Sequence, residues 1–130
     1  MNTAHLIAGG LIVLGIGGAA VALTGGDSPT GGLTQEQVAD FARCLSEENA
    51  TFYGAYWCPH CNRQKALFGD AMQYVDYVEC SPDGKSAPRA EVCNQKGISS
   101  YPTWIIDGER YTGVQSFQDL AAATSCSLPG

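Results

Sequence analysis

Cys58 and Cys61, separated by Pro59 and His60, are the side chains of this sequence best suited to covalent chemistry. A dithiol at that spacing can close to a disulfide and reopen by exchange with another sulfur pair. If Cys58 caps a helix, Pro59 fills the first helical position, where its missing N–H is no loss. The amides of His60 and Cys61 then point back at the Cys58 sulfur and, with the positive end of the helix dipole, favour thiolate over thiol. An exposed Cys58 is therefore the expected attacking sulfur, and Cys61 the one that resolves the mixed disulfide. His60 reads as an imidazolium that further stabilises the thiolate; alone it would pass for a solvated residue at a helix start. An inert disulfide or a metal site would also use such a pair. A strand before it, a helix after it and the proline within it favour redox chemistry.

The elements that must position these sulfurs follow from the pattern. Thr34-Gln35-Glu36-Gln37 forms a capping box, and Val38, Phe41, Ala42 and Leu45 then give the helix one apolar face. Residues 51–56 (TFYGAY) read as a strand running into the dithiol and a helix to about residue 72, with Ala66, Leu67 and Phe68 among its buried positions. Residues 74–79 form a second strand, and residues 88–96 a short helix with Pro88 in its first turn and Gly97 as its C-terminal cap. Residues 103–107 and 109–112 pair as a hairpin through Asp107-Gly108, and Ser116 to Asp119 form a second capping box that opens a last helix through Leu120 and Ala123. The expected fold is α/β: a mixed four-stranded sheet, βαβ plus ββα, with helices on both faces.

Composition bounds the setting. With 130 residues, a formal charge of −6 and only 7 basic side chains, the chain lacks a phosphate-binding surface, so nucleic-acid partners are not expected. Six cysteines, Cys44, Cys58, Cys61, Cys80, Cys93 and Cys126, fit an oxidising compartment. Zinc is disfavoured because only Cys58 and Cys61 are closely spaced, and no metal or other cofactor is expected. Residues 6–23 carry no polar side chain and as a helix would span about 27 Å, enough for a transmembrane helix. No Lys or Arg precedes this run, so orientation rests on the cysteines, which put the C-terminal domain outside. The competing reading is a signal peptide cleaved near Ala20-Val21-Ala22, which would leave a secreted or periplasmic protein. The expected organisation is an anchor or signal segment at 1–24, a flexible linker at 25–33 and one domain at 34–130, on a single-pass membrane protein.

The segments Trp57-Cys58-Pro59-His60-Cys61 and Ser100-Tyr101-Pro102-Thr103 together resemble the thioredoxin superfamily, whose members set a cis-proline against the dithiol. The longer strings FYGAYWCPHCNRQKALFG, YVECSPDG, GISSYPTW and YTGVQS are similar to the thioredoxin-like domain found with bacterial and archaeal homologues of vitamin K epoxide reductase, over roughly residues 38–126. The resemblance implies a thioredoxin-like fold, a cis Pro102, and substrate contacts at Trp57 and along the Tyr101 backbone. It also implies a separately encoded, quinone-linked membrane partner, since relatives often carry that reductase in the same chain. One departure stands out: Phe52 occupies the position where many relatives keep a buried carboxylate, so the proton-transfer group for Cys61 is not legible. The other four cysteines allow three pairings. Their places on the first and last helices and around the connecting loop suggest Cys44–Cys126 and Cys80–Cys93, and the resemblance supports that choice. The expected activity is thiol–disulfide exchange on exported proteins, with a reductase or isomerase, a copper chaperone-like metal module and a plain interaction module as the alternatives.

Overall fold

The computed structural model describes residues 32–128. The anchor expected at 1–24 and most of the linker at 25–33 lie outside the described residues; among the described residues no helix is long and apolar enough to cross a membrane.

The first helix, α1 (Gln35–Glu47), starts as its sequence dictates: Thr34 Oγ1 accepts the Gln37 amide at 3.0 Å, and Gln37 Oε1 accepts the Thr34 amide at 2.9 Å. Val38, Phe41, Ala42 and Leu45 bury one face of it. The chain continues through β1 (Ala50–Gly54), α2 (Pro59–Phe68), a 3-10 turn at Gly69–Tyr74, β2 (Asp76–Glu79), α3 (Glu91–Gln95), β3 (Thr103–Ile106), β4 (Glu109–Thr112) and α4 (Phe117–Ala123). The sheet order is β2-β1-β3-β4, with β1 parallel to β2 and antiparallel to β3, and β3 antiparallel to β4. This is the mixed α/β sheet of the thioredoxin-like fold. Asp107 and Gly108 both take positive φ, 53° and 88°, as a two-residue hairpin requires.

Several expected boundaries move. The helix after the dithiol stops at Phe68 rather than near residue 72, because Gly69 turns the chain at φ 57° into the 3-10 segment. In consequence β2 begins at Asp76, two residues later than expected. β1 covers Ala50–Gly54, leaving Ala55 and Tyr56 to turn into the dithiol. α3 begins at Glu91, so Pro88 precedes the helix instead of opening it, although Gly97 follows its end at φ 70°. Ser116 caps α4 through the Asp119 amide at 3.0 Å, a one-way cap rather than a reciprocal box.

Two clusters share the sheet. On one face Phe52 stacks on Trp104 with centroids 5.1 Å apart and planes 20° apart, and Phe68, Phe117 and Phe41 continue the packing into α2, α4 and α1. On the other, Tyr53, Cys80, Cys93 and Ile98 form a smaller cluster under α3. Disulfides join Cys44 to Cys126 and Cys80 to Cys93, spanning 82 and 13 residues. In the chain-entropy model such loops contribute at most about 4–5 and about 3 kcal/mol respectively.

The inward residues of α2 are Cys61, Gln64 and Phe68, one stripe at helical spacing. Ala66, expected inside, is exposed and Leu67 is half-buried, whereas the polar Gln64 is fully buried. Its Oε1 accepts the Trp104 indole N–H at 3.0 Å and the Gln115 amide at 2.7 Å, and its Nε2 donates to the Gln115 carbonyl at 3.0 Å. One amide thus pins α2 to β3 and to the segment entering α4. Gln64→Leu leaves two inward donors without partners and is expected to destabilise the domain by on the order of 2–4 kcal/mol. Urea unfolding measures this, and a cycle with Trp104→Phe is expected to be less than additive.

Candidate active site

The dithiol sits where β1 turns into α2. The Cys58 amide donates to the Ala55 carbonyl at 3.1 Å, which closes the turn after the strand. Cys58 is the N-cap of α2, with φ −82° and ψ 120°, and Pro59 opens the helix. The Cys61 amide donates to Cys58 Sγ at 3.3 Å, and Asn62 steadies the turn through the Tyr56 carbonyl at 3.2 Å. Both cysteines are free thiols.

The two sulfurs differ in access. Cys61 is sealed, at 0% exposure, and Cys58 is 5% exposed, so the expected exposed thiol opens to solvent only through a narrow aperture. The cover over it is the Tyr101–Pro102 segment, whose peptide bond is cis, with the Tyr101 carbonyl 3.7 Å from Cys58 Sγ. Trp57 and Tyr101 stand edge to face at 5.9 Å beside it. They form the wall of a cleft of about 370 Å³ completed by Ser81, Lys85, Arg89 and Asn94. Trp57 Nε1 donates to Ser81 Oγ at 2.8 Å, Arg89 Nε donates to the Tyr101 hydroxyl at 2.9 Å, and the Lys85 ammonium lies 5.2 Å from the Trp57 ring. Trp57, Cys58, Cys61, Tyr101 and Pro102 are thus brought together. His60 is exposed on the first turn of α2 and has no hydrogen-bond or ion-pair partner among the described residues.

Beneath the dithiol, Cys61 lies against the sheet where β1 carries Gly54. A Cβ on Gly54 would meet Cys61 Sγ and the Phe52 ring at 3.0 Å and the Tyr77 ring at 3.2 Å. Burial pushes the Cys61 thiol from the usual 9.0 up to about 12, and its hydrogen bond with Cys58 adds to this against the smaller opposing pull of the Ala55 amide. Burial likewise raises the Tyr77 phenol, helped by the Glu79 carboxylate that accepts its hydroxyl at 2.8 Å. Gln64, Gly54, Tyr77 and Glu79 are the residues around the dithiol that sequence reasoning missed. The glycine inside an aromatic strand was a usable sign of close approach. Among the described residues, no three His, Cys, Asp or Glu side chains gather as a metal site.

No family model matches the chain. The chain is 40% identical over 90 residues to thiol-disulfide oxidoreductase LTO1 of Arabidopsis thaliana, covering 67% of this chain and 24% of that protein. It is also 39% identical over 62 residues to a glutaredoxin of Pseudomonas aeruginosa, covering 47% of this chain and 69% of the relative. The chain belongs to the thioredoxin-like family. It is a protein disulfide oxidoreductase.

The raised Cys61 thiol has a signed consequence for this thioredoxin-like domain. Between pH 9 and about 12 the folded dithiol keeps a proton that the unfolded chain releases, so the associated stability is complete below pH 9 and is lost as pH rises. Urea midpoints of the dithiol form are expected to fall across that window more steeply than those of Cys61→Ala. Equal slopes would mean that Cys61 ionises normally in the fold.

Proposed function

We propose that this domain exchanges disulfides with protein substrates through Cys58 as the attacking sulfur and Cys61 as the resolving one. The observation that carries the assignment is the asymmetry of the pair. Cys58 Sγ sits at the helix start, 3.3 Å from the Cys61 amide and beside the aromatic cleft, while Cys61 is sealed against the sheet. A substrate segment lies along Tyr101 and Pro102 in extended form, paired to the backbone as an added strand, with Trp57 flanking its cysteine. His60, when protonated, adds positive charge at the exchanging sulfurs and favours the dithiol state.

The domain works outside the cytoplasm, tethered by residues 6–23, and exchanges electrons with a separate membrane protein of the vitamin K epoxide reductase type that passes them to quinone. The apolar run without a polar side chain supports the tether, and the two disulfides beyond the dithiol support an oxidising compartment. Similarity of the quoted motifs to domains that accompany such reductases supports the partner. In this setting the domain acts as an oxidant of exported thiols, and a reduction potential near about −120 mV is expected rather than about −270 mV.

Cys61→Ala in the full chain removes the resolving sulfur and is expected to accumulate mixed disulfides on Cys58, visible on non-reducing gels and identified by mass spectrometry. The adducts are expected to include the membrane reductase and exported client proteins. Adducts no more abundant than in Cys58→Ala would overturn the assignment of Cys58 as the exchanging sulfur.

A further inference from the structure

Resolution by Cys61 needs its proton removed, and the buried β1 side chain on the face beneath the dithiol is Phe52, unable to accept one. The register of the sheet puts an acid nearby. Phe52 and Gly54 of β1 pair with Tyr77 and Glu79 of β2, and alternate residues of adjacent parallel strands share a face. That shared face is the one α2 packs on, as the closeness of Cys61 Sγ and the Tyr77 ring to the side-chain position of Gly54 shows. Glycine at this position lets the Cys61 sulfur and the Tyr77 ring, whose hydroxyl is bonded to Glu79, approach without a Cβ between them.

Glu79 is held in place from several directions. Its Oε1 accepts the Tyr77 hydroxyl at 2.8 Å, and its Oε2 accepts the Ser81 amide at 3.0 Å and the Tyr56 amide at 3.2 Å. The Tyr56 and Ser81 amides belong to the segments that lead into the dithiol and out of β2, so the carboxylate bridges the two strand ends at the mouth of α2. It is half-buried, open enough for water to reach it. The titratable and charged groups facing the pair come from α2: Cys58 and Cys61, and Lys65, whose ammonium lies 4.3 Å from the centre of the Tyr77 ring. β1 presents only Phe52 and Gly54 there.

We propose that Glu79 is the proton acceptor and donor for Cys61, acting through a solvent water, and that Tyr77 is its positioning residue. This rests on the assignment of Cys58 and Cys61 given above. From the mixed disulfide of Cys58 with substrate, the Cys61 S–H proton passes to the Glu79 carboxylate. The Cys61 thiolate attacks Cys58 Sγ, the intramolecular S–S bond forms, and the bond from Cys58 to the substrate sulfur breaks. The electron pair leaves on the substrate sulfur, which takes a proton from solvent. The dithiol is oxidised by two electrons and the substrate disulfide reduced by two. In the opposite direction Glu79 returns the proton to the departing Cys61 sulfur. Burial makes both the Cys61 thiol and the Tyr77 phenol weaker acids than usual, in agreement with a site where both stay protonated until an acceptor acts.

Rapid acid quench of the full-length dithiol form with an excess of an activated aromatic disulfide, which drives the exchange forward even from a strongly oxidising domain, separates appearance of the Cys58 mixed disulfide from its resolution. Glu79→Gln is expected to slow resolution at pH 7 by roughly tenfold or more, within the usual range for general acid–base groups, with the first attack unchanged. The deficit is expected to shrink as pH rises, because hydroxide replaces the carboxylate. Tyr77→Phe, which keeps the ring, is expected to give a smaller deficit with the same pH trend, and it carries the test if Glu79→Gln does not fold. Equal slowing of both steps, an unchanged resolution rate, or a deficit independent of pH would overturn the role of Glu79. A wild-type chain that forms no mixed disulfide on Cys58 would overturn the underlying assignment and this one with it.

Discussion

The close approach of α2 to β1 at Gly54 is the constraint from which the site follows. A helix that opens with a redox pair must place one sulfur toward its exposed start and the other, one turn on, against whatever lies below. Here the sheet offers a strand position without a side chain, and Cys61 Sγ would touch a Cβ there at 3.0 Å. That contact buries the second thiol completely and holds its proton. It leaves Cys58, at the cap, as the sulfur near the surface. The difference in burial and in proton retention between two chemically identical side chains is therefore a matter of packing, not of sequence order alone.

The rest of the molecule keeps that approach in register. Gln64 and Phe68 lie on the same stripe of α2 as Cys61, and they fix the helix on Trp104 by a hydrogen bond and by ring contact. Phe52 and Trp104 stack across β1 and β3 beneath it. The two disulfides act at the margins: one ties α1 to the chain end beyond α4, the other closes the loop between β2 and α3. That second loop supplies Lys85 and Arg89, so the staple also shapes the cleft beside Trp57 and Tyr101. In a chain of formal charge −6, two cations on the aromatic walls of that cleft have no carboxylate partner among the described residues.

Much of this was legible before any coordinates. The α1 capping box, the hairpin at Asp107-Gly108 and the strand that leads into the dithiol are local signals, set by residues within one turn or one loop, and they read correctly. Boundaries failed where tertiary demands intervened. Gly69 ends α2 early because the chain must double back to begin β2, and the apolar Ala66 and Leu67 gave a false inward face. The stripe that packs contains Gln64, whose polarity masked it until both of its partners were in place. Tyr77 and Glu79 escaped for a similar reason. Their significance depends on parallel pairing with Phe52 and Gly54, a register between segments more than twenty residues apart that no local pattern displays.

On this packing one thiol of the pair is expected to react with an outside partner and the other is not. Limited alkylation of the dithiol form with iodoacetamide, mapped by mass spectrometry across pH 6 to 9, tests it directly. Modification is expected at Cys58 throughout, with Cys61 unmodified until the domain is unfolded by denaturant. Labelling of Cys61 at a comparable rate in the folded protein would contradict it.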